Sequence, residues 1–207
     1  LIMNSLGDVY RKREEYSRAK AYYDKCQQFI YELYGEDAAV QPASRVLNSQ
    51  GIYYHLMKCY YEAESCYTEA LAILRQLSEG GAGVSLQVSE VLVNWGINYS
   101  SMKRHKDAEW CYNEALAINR KLSHGAASVI EARTLANQGV NYNNMKQYQD
   151  ANQCYTKALT VYTKLSHGVA SLDMARTMAN QGVNYNAMKE YDKADKSYTE
   201  ALALCRS

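Results

Sequence analysis

The segment GVNYNNMKQYQDANQCYTKA at residues 139–158 decides the fold, because it holds Gly139, Tyr142, Ala151, Tyr155 and Ala158 at offsets that return along the chain. Gly51, Tyr54, Ala63, Tyr67 and Ala70 keep those offsets, as do Gly96, Tyr99, Ala108, Tyr112 and Ala115, and Gly182, Tyr185, Ala194, Tyr198 and Ala201. A first copy keeps Gly7, Tyr10, Ala19 and Tyr23 and puts Cys26 at the last position. Successive glycines lie 44, 45, 43 and 43 residues apart. Self-similarity at such a period marks one supersecondary unit stacked on copies of itself, each packing only on its neighbours.

The spacing inside a copy is helical. Leu135, Gly139 and Tyr142 follow one another at intervals of 4 and 3, and Ala151, Tyr155, Ala158, Tyr162 and Leu165 at 4, 3, 4 and 3, which is one face of each of two helices. Between them Met145-Lys146-Gln147-Tyr148 makes a turn without glycine, repeated as Met102-Lys103-Arg104-His105 and Met188-Lys189-Glu190-Tyr191. The reading predicts helix pairs over 1–13 with 16–34, 43–57 with 60–78, 86–102 with 105–123, 129–145 with 148–166 and 172–188 with 191–206. The expected fold is therefore all-α, five antiparallel helical hairpins in one array, with repeats at about 1–42, 43–85, 86–128, 129–171 and 172–207. A glycine inside a helix costs about 1 kcal/mol against alanine, so one at the same phase of every copy needs close contact as its reason. Ala63, Ala108, Ala151 and Ala194 are the small residues expected to face it. Second helices are expected to end at Leu122-Ser123-His124-Gly125 and Leu165-Ser166-His167-Gly168, and at Leu77-Ser78-Glu79-Gly80-Gly81 in the second copy. There a left-handed glycine and a histidine beside the last carbonyls suit a C-terminus.

Composition excludes several classes of function. With 23 lysines and arginines against 22 aspartates and glutamates, the net charge is +1, so no general pull toward nucleic acid or an anionic membrane exists. No apolar run approaches the roughly 20 residues that cross a bilayer. Of the six cysteines, Cys66, Cys111 and Cys154 sit one residue before the repeat tyrosine, and no C-x-x-C pair occurs, so they read as small core thiols and not as zinc ligands. Twenty tyrosines stand against one phenylalanine, most of them at shared phases, as packing residues whose hydroxyls need partners. The four histidines, at 55, 105, 124 and 167, have no nucleophile or carboxylate constellation, and there is no glycine-rich phosphate loop. The sequence points to no enzyme, no cofactor and no metal.

The Gly, Tyr, Ala, Tyr and Ala at these offsets resemble the tetratricopeptide repeat, over the whole chain. Two features depart from the common form of that family. Its period is about 34 residues, and the proline of its second helix is replaced by Arg75, Arg120, Thr163 and Arg206, which lets the helix run on. Both resemble the longer subclass of kinesin light chains, nephrocystin-3-like proteins and the sensor arrays of some signalling ATPases. Leu33-Tyr34-Gly35-Glu36-Asp37 is similar to that subclass's Leu-Gly-Glu-Asp-His-Pro linker, with Ala38-Ala39 in place of His-Pro. The resemblance implies a right-handed superhelical solenoid whose first helices line the concave surface.

On each first helix the residues 6 and 2 before the glycine and 1 and 5 after it form a second stripe, turned about 200° from the core stripe at roughly 100° per residue. They are Arg45, Ser49, Ile52 and Leu56, then Glu90, Asn94, Ile97 and Ser101, then Arg133, Asn137, Val140 and Asn144, then Arg176, Asn180, Val183 and Ala187. Asparagine amides can pair with the main chain of any extended peptide, arginine selects carboxylate or phosphate, and the aliphatics supply an apolar floor. The expected function is an adaptor or scaffold holding an extended, acidic peptide of a protein partner. The alternatives are a structural subunit of a cytoskeletal, motor or ciliary assembly, and the sensor array of a larger signalling protein. Glu90 interrupts the positive row and is expected to pair with Arg45 or Arg133. The partners expected are proteins or peptides, without nucleic acid or membrane insertion, in a cytoplasmic setting that includes the cytoskeleton or cilium. The first and last helices lack polar sealing faces, which predicts part of a longer array or end-to-end self-association.

Overall fold

Each hairpin turns on a residue that is not glycine but adopts a left-handed backbone. Lys146 has φ 61°, its N–H bonds the Asn143 carbonyl at 2.9 Å, and the Gln147 N–H bonds the Tyr142 carbonyl at 2.9 Å. That pair of bonds satisfies the last carbonyls of the helix and reverses the chain. Glu14, Lys58, Lys103 and Lys189 take the same conformation, with φ of 60° or 61°.

The computed structural model describes residues 2–38, 40–77, 81–124, 126–166 and 172–206. Its described residues form α1 (Ile2–Lys12), α2 (Tyr16–Ala38), α3 (Val40–Leu56), α4 (Tyr60–Gln76), α5 (Gly81–Ser101), α6 (His105–Leu122), α7 (Val129–Asn144), α8 (Tyr148–Ser166), α9 (Leu172–Ala187) and α10 (Tyr191–Arg206). The predicted helices are recovered, and within the two units described below α1 pairs with α2, α3 with α4, α7 with α8 and α9 with α10; three helix ends shift, α3 beginning at Val40 against the expected 43. α2 continues through Gly35, Glu36 and Asp37 to Ala38, so the segment expected as a linker is helical, and α5 begins at Gly81, ahead of the expected 86. Pro42 falls in the first turn of α3, where a missing N–H removes no intrahelical bond.

The chain divides into two compact units, Leu1–Met102 and Lys103–Ser207. In the first, α1 pairs with α2 and α3 with α4, while α5 lies on α4 and also touches α3. Ala19, Tyr23, Cys26 and Ile30 of α2 pack there against Ala43, Val46 and Tyr53 of α3. In the second unit α6 lies on α7, α7 pairs with α8, α9 with α10, and α9 packs on both α7 and α8. Leu116, Ala132, Leu135, Ala136, Ala158 and Tyr162 form its core.

Two sequence expectations are corrected. The surface facing the glycine is the repeat tyrosine, not the alanine. A Cβ on Gly7, Gly51, Gly139 or Gly182 would stand 2.5, 2.5, 2.7 and 2.7 Å from Cε1 of Tyr23, Tyr67, Tyr155 and Tyr198 respectively. The aromatic ring of the second helix thus lies flat on the backbone of the first, which only a residue without a side chain allows. At the close of α6, Ser123 is the C-cap and His124 itself turns left-handed, with φ 49°, where Gly125 was expected to do so. Gly125, the His167-Gly168 end and the Ser78-Glu79-Gly80 end lie outside the described residues.

Candidate peptide-binding surface

The seams between hairpins are fastened by a row of asparagines two residues after the glycine. Asn98, Asn141 and Asn184 are fully buried, and each amide donates to the carbonyl of the first residue of a preceding second helix: Tyr60 at 2.9 Å, His105 at 3.0 Å and Tyr148 at 2.9 Å. Their carbonyl oxygens pair with His55 Nδ1 at 3.1 Å, His105 Nδ1 at 2.8 Å and the Asn143 amide at 2.8 Å. A second row sits one residue before the glycine. Gln50 donates to Gln27 at 3.1 Å, Gln138 to Asn113 at 2.9 Å, and Gln181 to Asn152 at 2.9 Å and Thr156 at 3.2 Å. Sequence reasoning did not assign these rows, although Gly-Ile/Val-Asn-Tyr recurs in three copies. Buried amides facing a carbonyl are satisfied within the fold and fasten the seam.

The stripe singled out in the sequence divides into two different situations. In the first unit Ser49, Asn94 and Arg45 are turned toward neighbouring helices, whereas Glu90 and Ser101 meet no hydrogen-bond or ion-pair partner among the described residues. Ser49, 7% exposed, accepts from the Asn4 amide at 3.2 Å, and Asn94 donates to Asn48 Oδ1 at 3.0 Å. Arg45 reaches Gln87, not Glu90; with the Gln87 amide turned so that its oxygen faces the guanidinium, that oxygen accepts from Nε and Nη2 at 3.0 Å each. Ile52 and Ile97 are half-buried.

In the second unit the stripe is open. Arg133, Asn137 and Val140 on α7 and Asn180 on α9 are half-buried, while Asn144, Arg176 and Val183 are exposed. Arg176 Nη2 holds Asp173 Oδ1 at 2.7 Å. The side chains of Arg133, Asn137, Asn144 and Asn180 meet no hydrogen-bond or ion-pair partner among the described residues. α7 touches α9 directly, and the members of the stripe occupy equivalent turns of the two helices. Unsatisfied donors and acceptors beside solvent, over an aliphatic floor, are what a polar ligand's main chain requires.

Burial pushes the Cys66 and Cys154 thiols up to about 11, so both stay protonated at neutral pH. Burial and the adjacent Glu109 carboxylate raise Tyr142, whose hydroxyl donates to that carboxylate. No cluster of three or more metal-ligating side chains occurs among the described residues, and no helix there is long and apolar enough to cross a membrane.

Comparison with known proteins adds the following. A tetratricopeptide repeat family model matches residues 42–121, 87–164 and 131–207, and a second tetratricopeptide repeat model matches residues 1–37. The chain is similar to the crystal structure of BtubC (BKLC) from P. vanneervenii, with a TM-score of 0.78 and 22% identity over 99% of this chain and 78% of that one. It is similar to a Rap protein complexed with competence and sporulation factor, with a TM-score of 0.81 and 16% identity, and covers 99% of this chain and 53% of that one. A kinesin light chain-like protein of Podosopora anserina with TPR-like repeats is similar at a TM-score of 0.70 and 12% identity, over 98% of this chain and 92% of that one. At these identities the likeness is one of fold. No curated protein sequence matches the chain.

Proposed function

Because the chain belongs to the tetratricopeptide repeat family, we propose that it is a protein interaction module that holds an extended, acidic peptide segment of its partner along α7 and α9. The observation that carries this reading is the open stripe of the second unit, where Arg133, Asn137 and Asn180 have no internal partner among the described residues. The two asparagines grip the peptide main chain, Arg133 selects an acidic side chain, and Val140 and the 52% exposed Val183 receive an apolar one. The Rap structure solved with competence and sporulation factor supports the reading, since a similar fold there holds a ligand.

Peptide-library binding to the protein tests this. Binding to acidic peptides should weaken as salt rises and be lost in the Arg133→Ala plus Asn137→Ala variant, with the helical circular dichroism unchanged. A folded protein that retains no acidic peptide from the library refutes it.

A second reading, a subunit built into a larger assembly, has its own observation. Leu172, Ala175, Ala179, Tyr198 and Leu202 line an apolar recess of about 670 Å³, with Leu172 80% and Leu202 56% exposed. One repeat earlier, Ala132, Ala136 and Tyr155, equivalent to Ala175, Ala179 and Tyr198, are buried, while Leu159, equivalent to Leu202, is half-buried and Val129, equivalent to Leu172, is 51% exposed. Concentration-dependent light scattering that falls back to monomer on Leu202→Glu would favour that reading.

A further inference from the structure

Repeat phase sets which residues meet across a seam between hairpins. The residue one before the glycine reaches the preceding second helix 20 residues after that hairpin's own glycine, as Gln50 reaches Gln27 at 3.1 Å. The residue two after the glycine reaches the first turn of that helix, as Asn98, Asn141 and Asn184 do. The residue three after it is a tyrosine that donates to the side chain 13 residues after the preceding glycine, as Tyr99 does to Glu64 at 2.8 Å and Tyr142 to Glu109. Two faces of the chain carry these phases without a neighbour among the described residues. α1 touches only α2 and α3, and leaves Leu6 and Val9 exposed at phases where Gln138, Gln181, Asn141 and Asn184 are buried. α10 touches only α9, and leaves Tyr191, Asp195 and Leu202 exposed at the three receiving phases.

The same phases match Leu6 with Leu202, Val9 with the first turn of α10 at Tyr191, and Tyr10 with Asp195. Leu6 and Leu202 are both apolar, where Gln50 and Gln27 are both amides. Asp195 has no hydrogen-bond or ion-pair partner among the described residues, and the Tyr10 hydroxyl has no acceptor among them. The Arg18 guanidinium lies 5.6 Å from the centre of the Tyr10 ring, and with Tyr22 and Lys25 the two line a hollow of about 350 Å³. Arg18 holds Glu15 through Nη1 at 2.8 Å, which leaves Nε and Nη2 for a second carboxylate. The next three copies carry Glu62, Asp107 and Asp150 at the phase of Arg18, so the cation beside this seam tyrosine is a departure from the repeat. Val9 cannot supply the amide that Asn98, Asn141 and Asn184 supply, so a seam made by α1 lacks that bond and opens more readily than an inner one.

We propose that the exposed face of α1 in one copy of the chain seats on the face of α9 and α10 in a second copy, with Asp195 of the one between Tyr10 and Arg18 of the other. The proposal rests on the assembly reading, whose recess it fills, and is independent of the groove. The two faces differ, so the contact is heterologous: each copy that joins brings an unused face with it, and association runs past a dimer.

Sedimentation velocity tests it, on the parent and on variants whose helical circular dichroism matches the parent's. The parent's mean mass should rise past that of a dimer with concentration, and a parent that stays monomeric overturns the proposal. Leu202→Glu and Val9→Glu should each be monomeric alone. Their equimolar mixture should form a dimer and nothing larger, because it holds one sound face of each kind. A mixture that stays monomeric overturns the proposal; if Leu202→Glu alone still lowers the mass, the assembly reading stands with a different occupant. Arg18→Asp and Asp195→Arg change only exposed side chains. Each should weaken association by about tenfold, and mixing the two should recover it, since the charges are then opposite at every contact. No loss, or loss without recovery, overturns the seat. Arg133→Ala plus Asn137→Ala should associate as the parent does, so the groove and the contact between copies fail separately; loss of association in that variant would place the contact in the groove and overturn the proposal.

Discussion

The ring of Tyr155 lies so flat against Gly139 that a methyl group on residue 139 would come within 2.7 Å of Cε1 and 2.9 Å of Cδ1. Tyr155 is 1% exposed, so its ring has nowhere to swing. Gly139→Ala should therefore destabilise by about 1–3 kcal/mol, the usual cost of overpacking, although alanine is the better helix former. Gly83 in α5 is the control, since a Cβ there meets nothing within 4 Å and Gly83→Ala should be neutral or stabilising by up to about 1 kcal/mol. Urea unfolding of both variants checks the contrast, and equal shifts would refute the contact as the reason for the repeat glycine.

Asn141 is fully buried and meets His105 twice, donating to its carbonyl and pairing with its ring nitrogen. Asn141→Ala adds no bulk to the seam and leaves the His105 carbonyl without its amide partner, which should cost about 1–3 kcal/mol. Amide hydrogen exchange should rise in the first turn of α6 and the middle of α7. Unaltered exchange would mean that water replaces the amide at no cost.

Lys146 holds φ 61° at the end of α7, a conformation that costs a side-chain-bearing residue about 1 kcal/mol. Lys146→Gly should raise the melting temperature slightly, and Lys146→Val, with a β-branched side chain, should lower it. A lower melting temperature for Lys146→Gly would show that the lysine side chain contributes more than its backbone costs.

Alkaline pH should loosen the fold in a defined window. Burial raises Cys66 and Cys154 from 9.0 to about 11, so below pH 9 the thiols are protonated in both states and have no effect. Between pH 9 and 11 the unfolded chain loses these protons and the folded chain keeps them, so stability falls as pH rises. Denaturant midpoints followed across that window should fall less steeply in Cys66→Ala plus Cys154→Ala. An identical slope would assign the loss to other groups.

The hairpin array was legible because its signals are periodic. Glycine, tyrosine and alanine at fixed offsets gave the helices, their pairing and the phase of the turns. The partner of the glycine was not legible, since Gly139 and Tyr155 lie on separate helices and their contact depends on how far each helix is rotated about its axis. The same applies to the two asparagine rows. Asn137 and Asn141 differ by one helical turn and have the same chemistry, yet one is half-buried and the other sits wholly within a seam. In the first unit Ser49, Asn94 and Arg45 face Asn4, Asn48 and Gln87; Asn4 and Asn48 share one phase, three residues before Gly7 and Gly51, that the last two copies fill with Ala136 and Ala179.

The glycine and its tyrosine belong to one hairpin, whereas the seam asparagine reaches out to the hairpin before it, where its amide takes a main-chain carbonyl, from Tyr60, His105 or Tyr148 alike, and its oxygen meets a side-chain nitrogen. Any neighbour can supply that carbonyl whatever its side chain. A duplicated gene segment thus carries its internal fit with it and joins its new neighbour through an atom that mutation cannot remove, which gives an array of this kind a ready path to growing longer.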